Sequence, residues 1–152
     1  GNGRPIDQPT SFLIGAAFNF AASDLDRELR VLERKVDAGA NFLLSQPVYS
    51  PEQIERVVTL LGGFPLPVIM GVLPLRSIRH AQFLHHEVPG INVPPEIFSR
   101  LNESGEEVAN EGISISRDLL IEAKRWVQGA YFIPPFGRYQ VVTETLSGLN
   151  LK

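Results

Sequence analysis

The sequence predicts an α/β protein whose strands are parallel. Four short apolar runs alternate with amphipathic segments of helical periodicity along the 152 residues, and this alternation indicates parallel strands joined by right-handed crossovers. Hydrophobic residues make up 43% of the chain and charged residues 20%, as in globular domains with a single core. We therefore predict one domain over residues 1–152, either a small doubly wound sheet or half of a (β/α)8 barrel, because a complete barrel needs at least about 200 residues.

The first strand–helix unit is predicted in residues 12–39. The apolar run at 12–19 is typical of a buried strand. Ser23 is a suitable helix N-cap with Asp26 three positions later. Leucine and valine then recur at helical spacing until Gly39, which predicts the end of the helix.

The second unit contains an unusual strand end. The apolar run at 42–44 predicts a strand that finishes in Ser45 and Gln46 rather than in a turn residue. Ser50 then predicts a helix N-cap, followed by a proline at the first helical position and by Gln53, which completes a capping box.

The remaining elements continue the alternation of strands and helices. Glycines and prolines separate the apolar runs and mark the element ends. The predicted strands cover residues 68–73 and 130–135, and the predicted helices cover residues 77–86, 95–102, 108–128 and 139–146.

Charge, cysteine content and apolar run length exclude several classes of protein. The net charge of −3 provides no basic field to attract nucleic acid or an anionic membrane. No apolar run reaches the roughly 18 residues of a spanning helix. The first ten residues are not a signal peptide and resemble an opened loop, so we expect a fragment of a longer chain. The absence of cysteine excludes disulfides and thiolate chemistry and is typical of the reducing cytoplasm.

Function in either architecture is expected where the strands end, because ligands bind at the carboxyl ends of parallel strands. The predicted strand ends carry Asn19, Gln46, Pro74 and the segment 134–138. These positions hold no carboxylate, no histidine and no activated hydroxyl. We therefore predict a rim suited to ligand binding and poor in catalytic groups, and the sequence carries no metal-binding signature.

Three groups of polar side chains in the sequence have two interpretations each. Gln46 either satisfies nearby backbone groups or presents its amide, a donor and an acceptor, to the edge of a heterocycle such as a pterin. Arg34 and Lys35 either form a solvated face at a helix end or hold a phosphate. Arg138 either binds a carboxylate or lies on the surface.

Three segments taken together resemble the methylenetetrahydrofolate reductase family. They are DLDRELRVLERKVDAGANFLLSQPVYS at 24–50, GVLPLRSIRHAQFLHHEVPGINVP at 71–94 and YFIPPFGRY at 131–139. Their order and spacing match the carboxyl half of the family's catalytic barrel over nearly the whole chain, and KVDAGANFLLSQPVY is the most specific block. The resemblance is nearest to the bacterial type that is often fused to a homocysteine S-methyltransferase domain.

The resemblance implies that this chain forms the second half of a (β/α)8 barrel. It implies flavin-dependent reduction of 5,10-methylenetetrahydrofolate to 5-methyltetrahydrofolate in one-carbon and methionine metabolism, with FAD as cofactor and NADH or NADPH as reductant. The glutamate acid of the family lies in the first half of the barrel, outside this chain, so the chain alone would be inactive. The alternative is a non-catalytic half-barrel that associates with itself or with the missing half.

The resemblance also implies which residues bind the folate substrate. Gln46 matches the glutamine that binds the pterin ring, which would explain an amide at a strand end. His80 matches a glutamine that contacts substrate in some members, and Arg138 matches an arginine near the substrate.

A second set of residues is implied at the cofactor. Arg34 and Lys35 match basic residues at the phosphate and ribose end of FAD. Ala17 and Asn19 lie in the strand that borders the flavin, although the family often has a proline where this chain has Phe20.

Overall fold

The computed structural model describes residues 11–149, and the prediction made for the first ten residues lies outside this range. Within it, the strands are β1 (Gly15–Phe18), β2 (Phe42–Pro47), β3 (Val68–Val72) and β4 (Gly129–Phe132). The α-helices of the described range are α1 (Leu25–Asp37), α2 (Pro51–Leu61), α3 (Ile78–Glu87), α4 (Pro95–Glu103), α5 (Val108–Ala123) and α6 (Gln140–Leu146). Short 3-10 turns lie at Gly105–Glu107 and Pro135–Gly137.

The strands form one parallel sheet in chain order, β1-β2-β3-β4. Neighbouring strands are therefore consecutive along the chain and are joined by helical crossovers, which is the arrangement of a (β/α)8 barrel rather than of a doubly wound sheet, whose order reverses. The predicted fold, parallel βα units of half a barrel, is confirmed. All carboxyl strand ends lie on one rim, with Gln46 near the end of β2 and Arg138 beyond the end of β4.

The two faces of the sheet differ in what covers them. The face toward the helices is closed, and five of its strand residues are at most 1% exposed: Phe18, Leu43, Val68, Met70 and Val72. They pack with α1, α2 and α5 in one apolar core. The opposite face is open, with Leu44 and Ile133 still 37% and 39% exposed. Because side chains alternate along a strand, this open face is the one that presents Gln46.

Two helix starts differ from the sequence prediction. The structure begins α1 after Asp24 rather than Ser23, because the Asp24 carboxylate accepts a hydrogen bond from the Arg27 amide (2.9 Å). Ser50 does precede α2, but its side chain makes no capping bond, and Gln53 Oε1 accepts a hydrogen bond from the Tyr49 amide (3.4 Å) rather than from the Ser50 amide. The predicted capping box is therefore wrong.

Helix α5 is shorter than predicted and ends at Ala123. The chain turns there and brings Gln128 to the amino end of β3, where its side-chain oxygen accepts from the Val68 amide (2.7 Å). No helix within residues 11–149 is long and apolar enough to cross a membrane.

Candidate functional site

Six of the seven predicted site residues fall into two groups near the carboxyl rim. The group around the ends of β1 and β2 contains Ala17, Asn19, Lys35 and Gln46, and the group after β3 and β4 contains His80 and Arg138. Arg34 is exposed on the outer side of α1 and is not among the residues that line a cavity in either group.

Gln46 presents its side chain on the open face of β2. The side chain is exposed, and the described residues offer its amide no hydrogen-bond partner. The loop after α3 passes beside it, and a Cβ added to Gly90 would lie 2.9 Å from Asn19 Nδ2 and 3.8 Å from Gln46 Cγ. Gly90 has φ +85°, so a glycine is favoured in this close passage. The structure thus places two side-chain amides next to each other at the rim.

Lys35 and Glu28 attach helix α1 to the end of β1. The Lys35 ammonium donates to the Ala17 carbonyl oxygen and lies 3.9 Å from Glu28 Oε1. The same carboxylate oxygen accepts from the Asn19 amide (3.1 Å). Lys35 therefore supports the strand end that carries Ala17 and Asn19, whereas the neighbouring Arg34 leaves its charge in solvent.

A cavity of about 540 Å³ opens beside this strand end. Its walls come from the segment after β1, from the first half of α1 and from the loop at Gly90. Asn19, Asp24, Arg27 and Glu28 supply polar groups to it. Carboxylates and an amide can bind sugar hydroxyls, and the guanidinium can bind an anion.

The second group is built around Phe136, in the loop after β4. This residue is 78% exposed and has φ 53°, an uncommon conformation for a residue other than glycine. The Arg76 guanidinium lies 5.0 Å from the centre of its ring, and the His80 ring lies 5.7 Å from it. Arg76 and Arg138 line the same cavity of about 350 Å³. An aromatic ring and two cations suit a ligand with a flat ring and a carboxylate.

The surroundings of His80 favour the neutral form of its ring. Its Nδ1 accepts a hydrogen bond from the Arg76 amide (3.3 Å), so the neutral ring carries its hydrogen on Nε2. Burial, and secondarily the Arg76 cation, lower the pKa of His80. A lowered pKa in the folded state means that the unfolded state binds the proton more readily. The contribution of His80 to the stability of the folded state is therefore complete above the ordinary histidine pKa of about 6.5, and it is lost as the pH falls below that value.

This shift predicts the pH dependence of stability. Between pH 7.5 and pH 5.5, the melting temperature of the wild-type chain should fall more than that of His80→Gln, which has no proton to gain. Thermal unfolding at both pH values measures the difference. His86→Gln, at an exposed position of the same helix, should keep the wild-type dependence. Equal pH dependence in wild type and His80→Gln would contradict the neutral assignment.

Fold and rim together define the class of protein: an α/β chain of the (β/α)8 type whose candidate ligand-binding groups lie at the carboxyl ends of its strands. The family model of methylenetetrahydrofolate reductase matches residues 12–133. The chain therefore belongs to the methylenetetrahydrofolate reductase family, and the family prediction is confirmed.

Two curated yeast relatives share modest identity with the chain. Methylenetetrahydrofolate reductase 2 of Schizosaccharomyces pombe is 26% identical over an alignment of 112 residues, with coverage of 68% of this chain and 17% of the relative. Methylenetetrahydrofolate reductase 2 of Saccharomyces cerevisiae is 27% identical over 104 residues, 65% of this chain and 16% of the relative. The chain thus spans about a sixth of the relatives it matches.

A solved structure shares the fold. It is an uncharacterized protein from Clostridium thermocellum that binds two copies of 5-methyl-5,6,7,8-tetrahydrofolic acid. The TM-score is 0.62 at 18% identity, over 88% of this chain and 51% of the solved chain. At this identity the match shows the fold alone.

Several residues that build the rim were missed by sequence reasoning. In the sequence, Glu28 and Arg76 are ordinary charged residues on or before helices, and Phe136 follows two prolines in a loop. Tyr131 is one aromatic residue of a predicted strand. The sequence does carry one local signal for Tyr131. Gly71 stands in the middle of a strand, where glycine often marks the close approach of another group, and in the structure that group is the Tyr131 side chain.

Proposed function

We propose that this chain is the carboxyl half of the catalytic barrel of a flavin-dependent methylenetetrahydrofolate reductase, with residues 1–152 as one domain of a longer protein. The observation that carries the proposal is the exposed Gln46 amide, without a partner among the described residues, at the carboxyl rim of a chain of this family. The parallel strand order and the match to half of a solved chain support the half-barrel. The proposed setting is one-carbon and methionine metabolism in the cytoplasm.

The proposed substrate is 5,10-methylenetetrahydrofolate. The Gln46 amide can donate to the oxo group and accept from the amino group of a pterin at the same time. His80 and Arg138 stand in the second group of the rim, where Arg138 supplies a cation for a carboxylate of the folate tail. His80, neutral with a hydrogen on Nε2, can donate one hydrogen bond. In this proposal the chain's own residues bind and orient the substrate, and the acid that protonates it comes from the other half of the barrel.

The residues around β1 fit FAD in their chemistry. The polar cavity beside Asn19 and Glu28 offers acceptors for ribose hydroxyls, and the small side chain of Ala17 leaves room for the flavin beside β1. Arg34 is proposed as the phosphate cation on the family resemblance, because it is exposed and lines neither cavity. Lys35 supports this end of β1 through the Ala17 carbonyl oxygen. When bound, FAD would carry a hydride from NADH or NADPH to the folate.

Two spectroscopic measurements on the enzyme that contains this half-barrel test the proposal. Bound oxidised flavin should give an absorbance band at about 450 nm, which a nicotinamide nucleotide should bleach. Adding methylenetetrahydrofolate without oxygen should restore the band. A colourless protein, or a reduced flavin that the folate cannot reoxidise, would contradict the proposed activity.

The FAD assignment predicts a loss of cofactor in a double variant. Replacing Arg34 and Lys35 by alanine should weaken FAD retention, because the first change removes the phosphate cation and the second frees the end of β1. Flavin release during ultrafiltration measures the effect, and circular dichroism checks the fold. Arg30→Ala, at another exposed position of α1, is the matched control. Wild-type retention in the double variant would contradict the assignment of Arg34 and Lys35 to FAD.

The open face of the sheet predicts self-association of the isolated chain. It leaves Leu44 and Ile133 exposed, and β1 and β4 are the edges of the described sheet; exposed edges and apolar faces drive association. We expect a homodimer or a larger species by light scattering, without reductase activity. Changing Leu44 and Ile133 together to glutamine should shift it toward monomer. A stable wild-type monomer at high micromolar concentration would contradict the prediction.

A further inference from the structure

A hydrogen bond on the open face joins two strands that are not neighbours. Tyr131 in β4 donates its hydroxyl to the Ser45 carbonyl oxygen in β2 at 2.7 Å, although β3 lies between these strands. The tyrosine side chain therefore crosses β3, and it does so at Gly71, its partner in the β3–β4 register. A Cβ added to Gly71 would lie 2.9 Å from the Ser45 carbonyl oxygen and 3.0 Å from Tyr131 Oη. The absence of a side chain at Gly71 thus makes the crossing possible.

The strand that receives this hydrogen bond is irregular at the same point. The register of β2 against β3 shifts between Leu44 and Pro47, so Ser45 and Gln46 form a bulge outside the regular ladder. The Ser45 hydroxyl replaces ladder bonds there, because it accepts from the Gly71 amide (2.9 Å) and donates to the Gln46 carbonyl oxygen (2.7 Å). Ser45 is 2% exposed, so water does not compete for these bonds.

We infer that Tyr131 is a positioning residue for Gln46, because its hydrogen bond across Gly71 holds the bulge that contains Gln46 and so fixes the position of the Gln46 amide on the open face. The inference rests on the proposed function of Gln46 in folate binding. Burial raises the pKa of Tyr131, so the phenol remains a donor at neutral pH. A bulge commonly re-aims a side chain beside an active site, and here hydrogen bonds from Gly71 in β3 and from Tyr131 in β4 hold it.

Tyr131→Phe tests the inference with a minimal change, since it removes the hydroxyl and keeps the ring over Gly71. In the FAD-loaded enzyme that contains this half-barrel, the KM for methylenetetrahydrofolate should rise about 3- to 10-fold, as expected for one lost hydrogen bond. Flavin reduction by the nicotinamide nucleotide should stay within about twofold, because that half-reaction needs no pterin contact. Tyr139→Phe, at a 73% exposed position, is the matched control. An unchanged KM in Tyr131→Phe would overturn the inference.

A double-mutant cycle separates positioning from a general structural role. If Tyr131 acts through Gln46, then adding Tyr131→Phe to Gln46→Ala should raise the folate KM no further, because the side chain that was positioned is gone. Two losses that multiply in the double variant would overturn the inference, since Tyr131 would then act independently of Gln46.

Amide hydrogen exchange, measured without folate, distinguishes failure of the Tyr131 inference from failure of the proposed role of Gln46 in folate binding. Tyr131→Phe should speed exchange of the Gly71 amide, which the bulge protects through Ser45, and unchanged exchange would overturn the inference. An unchanged folate KM in Gln46→Ala would instead overturn the proposed function and, with it, the role of Tyr131. If Tyr131→Phe nevertheless showed faster exchange of the Gly71 amide, the assignment of Gln46 to folate would be wrong, whereas the role of the Tyr131 hydrogen bond in holding the bulge would be confirmed.

Discussion

On the function proposed above, Gln46→Glu in the full reductase is expected to impair reoxidation of the flavin by the folate and to spare reduction of the flavin by the nicotinamide nucleotide. The substitution keeps the size of the side chain but replaces its NH2 donor with a carboxylate oxygen, so an acceptor would face the oxo group of the pterin. A polar group left unpaired in this way costs about 1–3 kcal/mol, which corresponds to about 5- to 150-fold in folate affinity or turnover efficiency. Reduction of FAD by the nicotinamide nucleotide should change much less.

Stopped-flow absorbance measures the two half-reactions separately, as bleaching and recovery of the flavin band. Gln82→Glu is the matched control, because it makes the same chemical change at an exposed position of α3. Equal losses in both half-reactions of Gln46→Glu would mean that Gln46 supports the flavin or the barrel rim, and its assignment to folate would then be withdrawn.

Gly112→Ala is expected to give the largest loss of stability among the glycine substitutions. Helix α5 packs against the segment after β3 so closely that a Cβ at Gly112 would lie 1.8 Å from the Leu75 carbonyl oxygen. Leu75 is 1% exposed, and its backbone cannot rotate away as a side chain would. Alanine favours a helix over glycine by about 1 kcal/mol, but overpacking of this severity costs about 3 kcal/mol or more. We expect a net loss of about 2 kcal/mol.

Thermal unfolding of the purified chain checks this balance, since 1 kcal/mol lowers the melting temperature of a chain of this size by about 2–4 °C. Gly129→Ala is the matched control, because nothing lies within 4 Å of the added Cβ there. A melting temperature of Gly112→Ala at or above the wild-type value would show that α5 can withdraw from Leu75 without loss.

Local patterns were sufficient to predict the elements and the position of the rim. Apolar runs and helical periodicity predict that strands and helices alternate along the chain. Parallel pairing then requires the carboxyl ends of all four strands to lie on one rim. Gln46 was identified because an amide at a strand end contradicts the local pattern. The side-chain bonding of Ser50 was not predictable in this way, because Ser50 and Gln53 have several partners within reach and propensity does not choose among them.

Contacts between distant segments could not be predicted from local patterns. Tyr131 reaches Ser45 across 86 positions of sequence, and nothing near Tyr131 in the sequence marks it as different from another aromatic strand residue. Lys35 was one of two adjacent cations at a helix end, and only the packing of α1 on β1 directs its ammonium to the Ala17 carbonyl oxygen. Both cases depend on which elements become neighbours in space.

A structure of the enzyme that contains this half-barrel, determined with 5-methyltetrahydrofolate bound, tests the central claim most directly. The account predicts that the pterin lies against the open face at the carboxyl rim, with its amino and oxo groups at hydrogen-bond distance, about 3 Å, from the Gln46 side-chain amide. The Tyr131 bond to Ser45 should be intact in that complex. A folate bound elsewhere, or a Gln46 amide turned away and paired within the protein, would contradict the account.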